Sequence, residues 1–111
     1  MIYFKKLISQ NSEVYTFCDQ ELIGKKIKDK NSNFEVSERF YKGKLINDNE
    51  AGELMKQARN INIIGKNVIK LALKAKIINK ENIIKIKNVP HALVFEIWFI
   101  QTPKIIKAYY N

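Results

Sequence analysis

Two amphipathic helix patterns in the middle of the chain, with strand patterns on both sides, constrain the fold most. Apolar residues recur at helical spacing from Asn47 to Asn60 and again from Ile64 to Lys76, so each segment presents one apolar stripe to a core. Asn47 and Glu50 stand three residues apart, in the arrangement of a helix N-cap and its capping-box partner. The short stretch Arg59–Asn62 is predicted to be a tight connection between the two helices.

Strand patterns flank the helices. An N-terminal β-hairpin is predicted from Met1–Ile8 and Glu13–Cys18, because β-forming apolar residues lie on both sides of a cluster of turn residues. The other predicted strands are Lys25–Lys30 at a sheet edge, Phe34–Phe40, Ile83–Lys87 and a central His91–Ile100. Val89-Pro90 is predicted to interrupt strand pairing, since proline lacks the amide donor.

Together these patterns predict one α+β domain over residues 1–100, followed by a basic C-terminal tail at residues 101–111. We expect a mostly antiparallel sheet of four to five strands with two main helices packed on one face. A chain of 111 residues is long enough to form a single core without disulfides or metals.

Composition excludes several classes of protein. The single cysteine, Cys18, excludes an intramolecular disulfide and is predicted to be a buried structural thiol. No Cys/His cluster has zinc-ligand spacing, so no metal or other cofactor is predicted. The longest apolar run, residues 92–100, is too short to span a membrane, and the first residues do not have the order of a secretory signal. We therefore expect a cytoplasmic protein without a membrane partner.

Positive charge is concentrated in the second half of the chain. Residues 1–59 carry 11 basic and 9 acidic side chains, whereas residues 60–111 carry 9 and 2. Lys66, Lys70 and Lys74 follow one another a helical turn apart, with no acidic residue between Gly65 and Lys80 to offset their repulsion. This asymmetry favours a polyanionic partner. The leading prediction is a non-enzymatic RNA- or ribosome-associated binding module that contacts phosphates through these lysines, joined by Lys25 and Lys26.

Three alternatives stay open. With 18 lysines against 2 arginines, 18 isoleucines and 12 asparagines, the charge also fits the amino-acid usage of an AT-rich genome. A protein-interaction subunit would use the apolar residues 92–100 and the tail as its surface. An enzyme would use His91, with Asp19 or Glu96 as its partner. The Pro90-His91 junction is thus a second candidate site, although a histidine that fixes the junction through backbone hydrogen bonds is the favoured interpretation.

Four blocks of sequence resemble a known family. They are Cys18–Lys25, Phe34–Gly43, Ile61–Val68 and Val89–Ala92. Their order over about residues 1–95 is similar to that of domain-of-unknown-function family 424, a group of small archaeal proteins. The resemblance implies an archaeal cytoplasmic protein with a compact α+β domain, and it implies no reaction. Lys76 and Asn88 stand where the family leads us to expect glycine, and Leu93 replaces a polar residue.

Overall fold

The structure, a computed structural model, describes residues 1–9, 12–30, 32–99 and 102–108. At Ser9, Ser32, 96–99 and 102–108 it describes the backbone alone. Strands make up about half of these residues. The strands are β1 (Ile2–Ser9), β2 (Ser12–Asp19), β3 (Lys26–Asp29), β4 (Ser32–Glu35), β5 (Lys44–Ile46), β6 (Ile61–Ile64), β7 (Ile83–Ile86), β8 (Val89–Phe99) and β9 (Thr102–Ala108). The helices are α1 (Glu38–Tyr41), α2 (Asp48–Gln57) and α3 (Lys66–Lys74), and 3₁₀ turns lie at Gln20–Leu22 and Lys80–Asn82.

The main sheet is mixed rather than nearly all antiparallel. Six strands follow one another in the order β5-β1-β2-β6-β8-β7, and β3 pairs with β4 in a separate small sheet. Only the β2–β6 pair is parallel among the described strand pairs. The α+β class is confirmed, whereas the prediction of four to five strands is only roughly right.

Strand β8 is long enough to pair with two strands along one edge. Its first part, Val89–Ala92, pairs with β7, and the part from Leu93 to Phe99 pairs with β9. Strand β9 falls within the predicted tail, and the domain boundary at residue 100 stays a prediction.

Side chains from the two faces of the main sheet enter two separate cores. On one face, α2 and α3 pack over the sheet and bury residues such as Phe17, Ile63 and Val68. On the other face, the small sheet and α1 cover a second cluster that includes Cys18, Ile64 and Tyr41. The molecule therefore has three layers, and the middle of the main sheet is covered on both faces.

The structure confirms the N-terminal hairpin and the start of α2. Asn47 Oδ1 accepts a hydrogen bond from the Glu50 amide at 2.8 Å, and Glu50 Oε1 accepts one from the Asn47 amide at 3.4 Å. These two bonds form the predicted capping box. Both main helices are shorter than the apolar patterns suggested, because each pattern continued into neighbouring segments that are not helical.

Two predictions about the strands are wrong. Residues 61–64 form β6, a buried strand in the middle of the sheet, whereas the sequence patterns predict a tight connection at Arg59–Asn62 and the second helix from Ile64. Residues 34–40 do not form a third main strand. Strand β4 ends at Glu35, and Ser37 Oγ accepts a hydrogen bond from the Phe40 amide at 3.2 Å, which caps α1 and turns the chain out of extended conformation.

Val89 and Pro90 do not interrupt pairing, contrary to the prediction. They pair with Ile86 and Lys85 across a two-residue turn. The Pro90 carbonyl accepts a hydrogen bond from the Gly65 amide at 2.9 Å, whereas the Gly65 carbonyl accepts its bond from Ile69 inside the α3 region. Proline at this position therefore removes no hydrogen bond between the strands, because the Gly65 carbonyl opposite it already accepts the hydrogen bond from Ile69.

Candidate functional site

The start of α3 is fixed by a carboxylate from a distant strand. Asp19, the last residue of β2, is 3% exposed, and its two carboxylate oxygens accept hydrogen bonds from the Asn67 and Val68 amides at 2.8 and 3.0 Å. Gly65 precedes the helix with a φ of 122°, and a Cβ there would overlap the Asp19 carboxyl group. Asp19 therefore replaces the side-chain cap that glycine cannot supply.

This cap determines how the α3 terminus can interact with anions. Burial raises the pKa of the Asp19 carboxyl above its usual value, and the amide hydrogen bonds from Asn67 and Val68 oppose that effect. Because those amides already bind Asp19, they are not available to bind a phosphate in the way that a phosphate-binding loop does. Any cationic site here must consist of side chains.

Lysine side chains of α3 form one wall of a groove. Lys66, Lys70 and Lys74 are all exposed, and successive lysines are separated by roughly 6 Å along the helix axis. Lys66 and Lys70 line a groove with a volume of about 550 Å³, whereas Lys74 lies beyond its lining. The remaining residues of the lining are Ile69, Leu73, Lys80, Ile83, Lys85, Asn88 and Pro90.

The opposite wall of this groove comes from the β7 region. Lys80 belongs to the 3₁₀ turn before β7, and Lys85 lies within β7. No acidic residue is among the described residues that line the groove. We call this feature the lysine groove: two lysines on the α3 side, two on the β7 side, and an aliphatic floor.

A smaller groove adjoins the lysine groove at Lys66. Its volume is about 270 Å³, and its lining adds Asp19, Glu21 and Lys87. Acidic side chains therefore lie beside Lys66, whereas the described lining of the lysine groove itself contains none.

Sequence patterns alone missed Lys80 and Lys85. Lys85 alternates with Ile84 and Ile86 in the β7 pattern, which indicates an outward side chain. Its position opposite α3 depends on the register in which Lys85 pairs with Pro90, and that register is not visible as a pattern. Lys25 and Lys26 belong to the small-sheet layer on the other side of the main sheet, so the structure does not bring them to the lysine groove.

The two residues of the Pro90-His91 junction lie on opposite faces of the main sheet. Pro90 forms part of the floor of the lysine groove. His91 is 1% exposed, and its ring lies 4.7 Å from the Phe34 ring of the small sheet in an edge-to-face arrangement. Two neighbouring residues that the sequence grouped together therefore belong to different layers.

Burial makes His91 a poor acid–base group. It lowers the pKa of the imidazole to about 4, because removal from water disfavours the charged form. Asp19, one of its predicted partners, caps α3 instead, and the Glu96 side chain lies outside the described residues. The environment of His91 is that of a core residue.

Cys18 is also unsuited to chemistry. It is completely buried, and its Sγ donates a hydrogen bond to the Asp19 carbonyl at 3.3 Å. Burial raises the pKa of the thiol to about 12, so the thiolate nucleophile does not form near neutral pH. Among the described residues, no group of three or more His, Cys, Asp or Glu side chains could hold a metal ion.

The apolar segment predicted as a protein-interaction surface is only partly described. Ala92 and Val94 are buried in the core beneath the helices, so these two side chains are not available to a partner. The side chains of residues 96–100 lie outside the described part. Among the described helices, none combines the length and apolar character needed to cross a membrane.

Comparison with known proteins identifies a family and a similar fold. The family described as "Protein of unknown function (DUF424)" matches residues 8–97. The chain belongs to this family. A crystal structure of an uncharacterized conserved protein from Methanopyrus kandleri is similar to this member of the DUF424 family, with a TM-score of 0.71 and 19% sequence identity over 99% of this chain and 95% of that one. At that identity the likeness shows the fold alone. No curated protein has significant similarity to the chain.

Proposed function

We propose that this DUF424 protein is a non-enzymatic RNA-binding module that associates with the ribosome or another cellular RNA. The lysine groove is the observation that carries the proposal. Four lysines line it, Lys66 and Lys70 from α3, Lys80 from the 3₁₀ turn and Lys85 from β7, and its described lining contains no acidic residue. Lysine drift in an AT-rich genome would scatter cations over the surface, whereas the groove gathers them on two facing walls.

The chemistry of the groove suits the RNA backbone. Phosphates neutralised by lysines release counterions, which gives an affinity that falls as salt concentration rises. Lysine is a mobile point charge without the bidentate geometry of arginine. The groove therefore favours contact with phosphates over sequence-specific reading of base edges. Four neutralised phosphates would give a plot of log affinity against log salt with a slope of about −3.

The first prediction tests this groove by charge reversal. The variant Lys70→Glu/Lys80→Glu/Lys85→Glu should bind purified, labelled ribosomal RNA at least tenfold more weakly than the wild type in filter-binding assays at about 50 mM salt, because three phosphate contacts become repulsive. The salt dependence of the residual binding should also be shallower.

A matched control separates the groove from net charge. Lys30→Glu/Lys42→Glu/Lys44→Glu makes the same change in charge at exposed positions outside the groove, and we expect it to retain affinity within about threefold, since distant exposed charges are screened. Equal losses in the two variants would show that the groove has no special role. If the wild type bound neither ribosomal RNA nor total cellular RNA at the same salt concentration, the proposed function would be refuted. Lys25 and Lys26 stay a separate prediction, which Lys25→Glu/Lys26→Glu tests in the same assay.

A further inference from the structure

The lysine groove exists because α3 does not cover β7, the last strand in the six-strand order of the main sheet. Strand β7 ends the six-strand order, and its Ile83 is only half-buried, although Ile83 pairs with the fully covered Ala92. The helix-facing side of β7 is left open beside α3. As a result, aliphatic side chains form the floor, and the lysines stand on either side of it.

An aliphatic floor is not what a purely electrostatic RNA contact needs. The floor consists of Ile69, Leu73, Ile83 and Pro90. A ligand that offered only phosphates and sugars would desolvate its polar groups against this floor without compensating hydrogen bonds. A ligand with an apolar face between anionic groups would satisfy both the floor and the lysines.

We infer that the lysine groove binds an unpaired nucleotide of single-stranded RNA, with the face of the base on the aliphatic floor and the flanking phosphates at the lysines. This inference rests on the proposed function and specifies its ligand. The volume of about 550 Å³ is that of a site for a small organic group. Asn88 also lines the groove, and its amide carries both a donor and an acceptor for the edge of a base.

Double-stranded RNA lacks the features that this site requires. Its bases are stacked on one another and paired, so their faces are not accessible to a protein surface. A duplex would reach the lysines with its backbone and leave the floor uncovered. Single-strand binding normally combines a positive groove with a surface on which bases stack, and the lysine groove has the first feature together with an aliphatic version of the second.

The second prediction compares ligands on the wild-type protein. A labelled ten-nucleotide single-stranded RNA should bind at least tenfold more tightly than a blunt duplex of the same sequence in fluorescence anisotropy at equal salt. The corresponding mononucleotide should bind much more weakly than the oligonucleotide, because it meets fewer lysines. Equal affinity for duplex and single strand would overturn the inference and leave the proposed function standing. A mononucleotide that bound as tightly as the strand would also overturn it, since the ligand would then be a free nucleotide.

A gain-of-function variant tests where the base lies. Leu73→Trp places an aromatic ring at the floor and should tighten single-strand binding roughly fivefold, because stacking on an aromatic ring is favourable for every base. Leu54→Trp is the matched control, since Leu54 is a half-buried leucine of α2 that lines a different groove with Glu50 and Glu53. A folded Leu73→Trp protein with unchanged affinity, or equal gains in both variants, would place the base elsewhere and refute the inference.

Discussion

Positive φ angles occur at the two positions where the family resemblance leads us to expect glycine, 76 and 88. Among the described residues other than glycine, Lys76, Lys87 and Asn88 have φ values of 61°, 47° and 67°. The family resemblance leads us to expect glycine at positions 76 and 88, and glycine is the residue that adopts this conformation without steric cost. Lys87 and Asn88 form the two-residue turn between β7 and β8. Asparagine tolerates such a turn well, whereas lysine does not.

Lys76 ends α3 in a Schellman motif. The Lys76 amide donates to the Leu73 carbonyl at 3.0 Å, and the Ile77 amide donates to the Ala72 carbonyl at 2.9 Å. That motif places the residue at position 76 in the left-handed region, where glycine is normally found. The chain therefore keeps the backbone geometry and accepts the steric cost of a side chain.

The third prediction concerns this helix end. Lys76→Gly should raise the free energy of unfolding by about 1 kcal/mol, because it relieves the left-handed strain. Urea unfolding followed by circular dichroism measures the change. Lys76→Ala removes the same charge but keeps a Cβ, so it should show no such gain. A stabilisation that was equal in both variants would mean that charge repulsion, and not backbone strain, is relieved.

At the scale of elements, segments with local signals could be predicted and short buried segments could not. The hairpin, α2 and α3 have repeating apolar patterns, and α2 has a capping box in the sequence. Strand β6 is only four residues long and buried throughout. An apolar run of that length cannot be distinguished from the end of a helix by periodicity. Its pairing with β2 depends on contacts that are distant in sequence.

In the candidate site too, the residues with a local sequence signal could be predicted and those placed by distant contacts could not. Lys66 and Lys70 could be predicted because they lie on one helix, at a spacing that the sequence displays. Lys80 and Lys85 join them only through the pairing of β7 with β8. The cap on α3 is equally remote, since Asp19 precedes the amides that it binds by 48 and 49 residues. Local signals predicted one wall of the groove, and tertiary structure supplies the other.

The fourth prediction tests the connection between β2 and α3. Asp19→Ala should lower the free energy of unfolding by about 2 kcal/mol, because the Asn67 and Val68 amides lose their acceptors in a largely buried environment. Chemical denaturation at pH 7 gives the value. Glu21→Ala removes a carboxylate two residues away that is exposed, and it should change stability by less than about 0.5 kcal/mol. If the two variants unfolded at the same urea concentration, the cap would contribute little to stability.

At the scale of the whole molecule, the main sheet separates the lysine groove from a second buried layer. The groove lies on the helix side, whereas His91 lies under the small sheet against Phe34. Protonation or substitution of His91 should therefore change the stability of the fold and leave the lysine groove unchanged. This separation also explains why the two candidate sites of the sequence differ: the lysines of α3 line a surface groove, whereas His91 is a core residue.

The fifth prediction follows from the burial of His91. The imidazole has a pKa of about 4 in the folded protein and about 6.5 when unfolded, so the unfolded state binds more protons between those values. Stability should be fully present above pH 6.5 and fall as the pH decreases toward 4. Between pH 7 and pH 5 the loss from this residue alone is about 2 kcal/mol.

Comparison with His91→Phe isolates this effect from the other titrating groups. Phenylalanine retains a buried ring beside Phe34 and has no proton to gain, so the variant should lose about 2 kcal/mol less than the wild type over the same pH interval. The raised pKa of Asp19 makes an opposite contribution as the pH falls toward 3.8, but it is common to both proteins and cancels in the difference. Urea unfolding at pH 7 and pH 5 provides the four values needed. Parallel losses in the two proteins would mean that His91 is accessible to protons in the folded state, which would return it to consideration as an acid–base group.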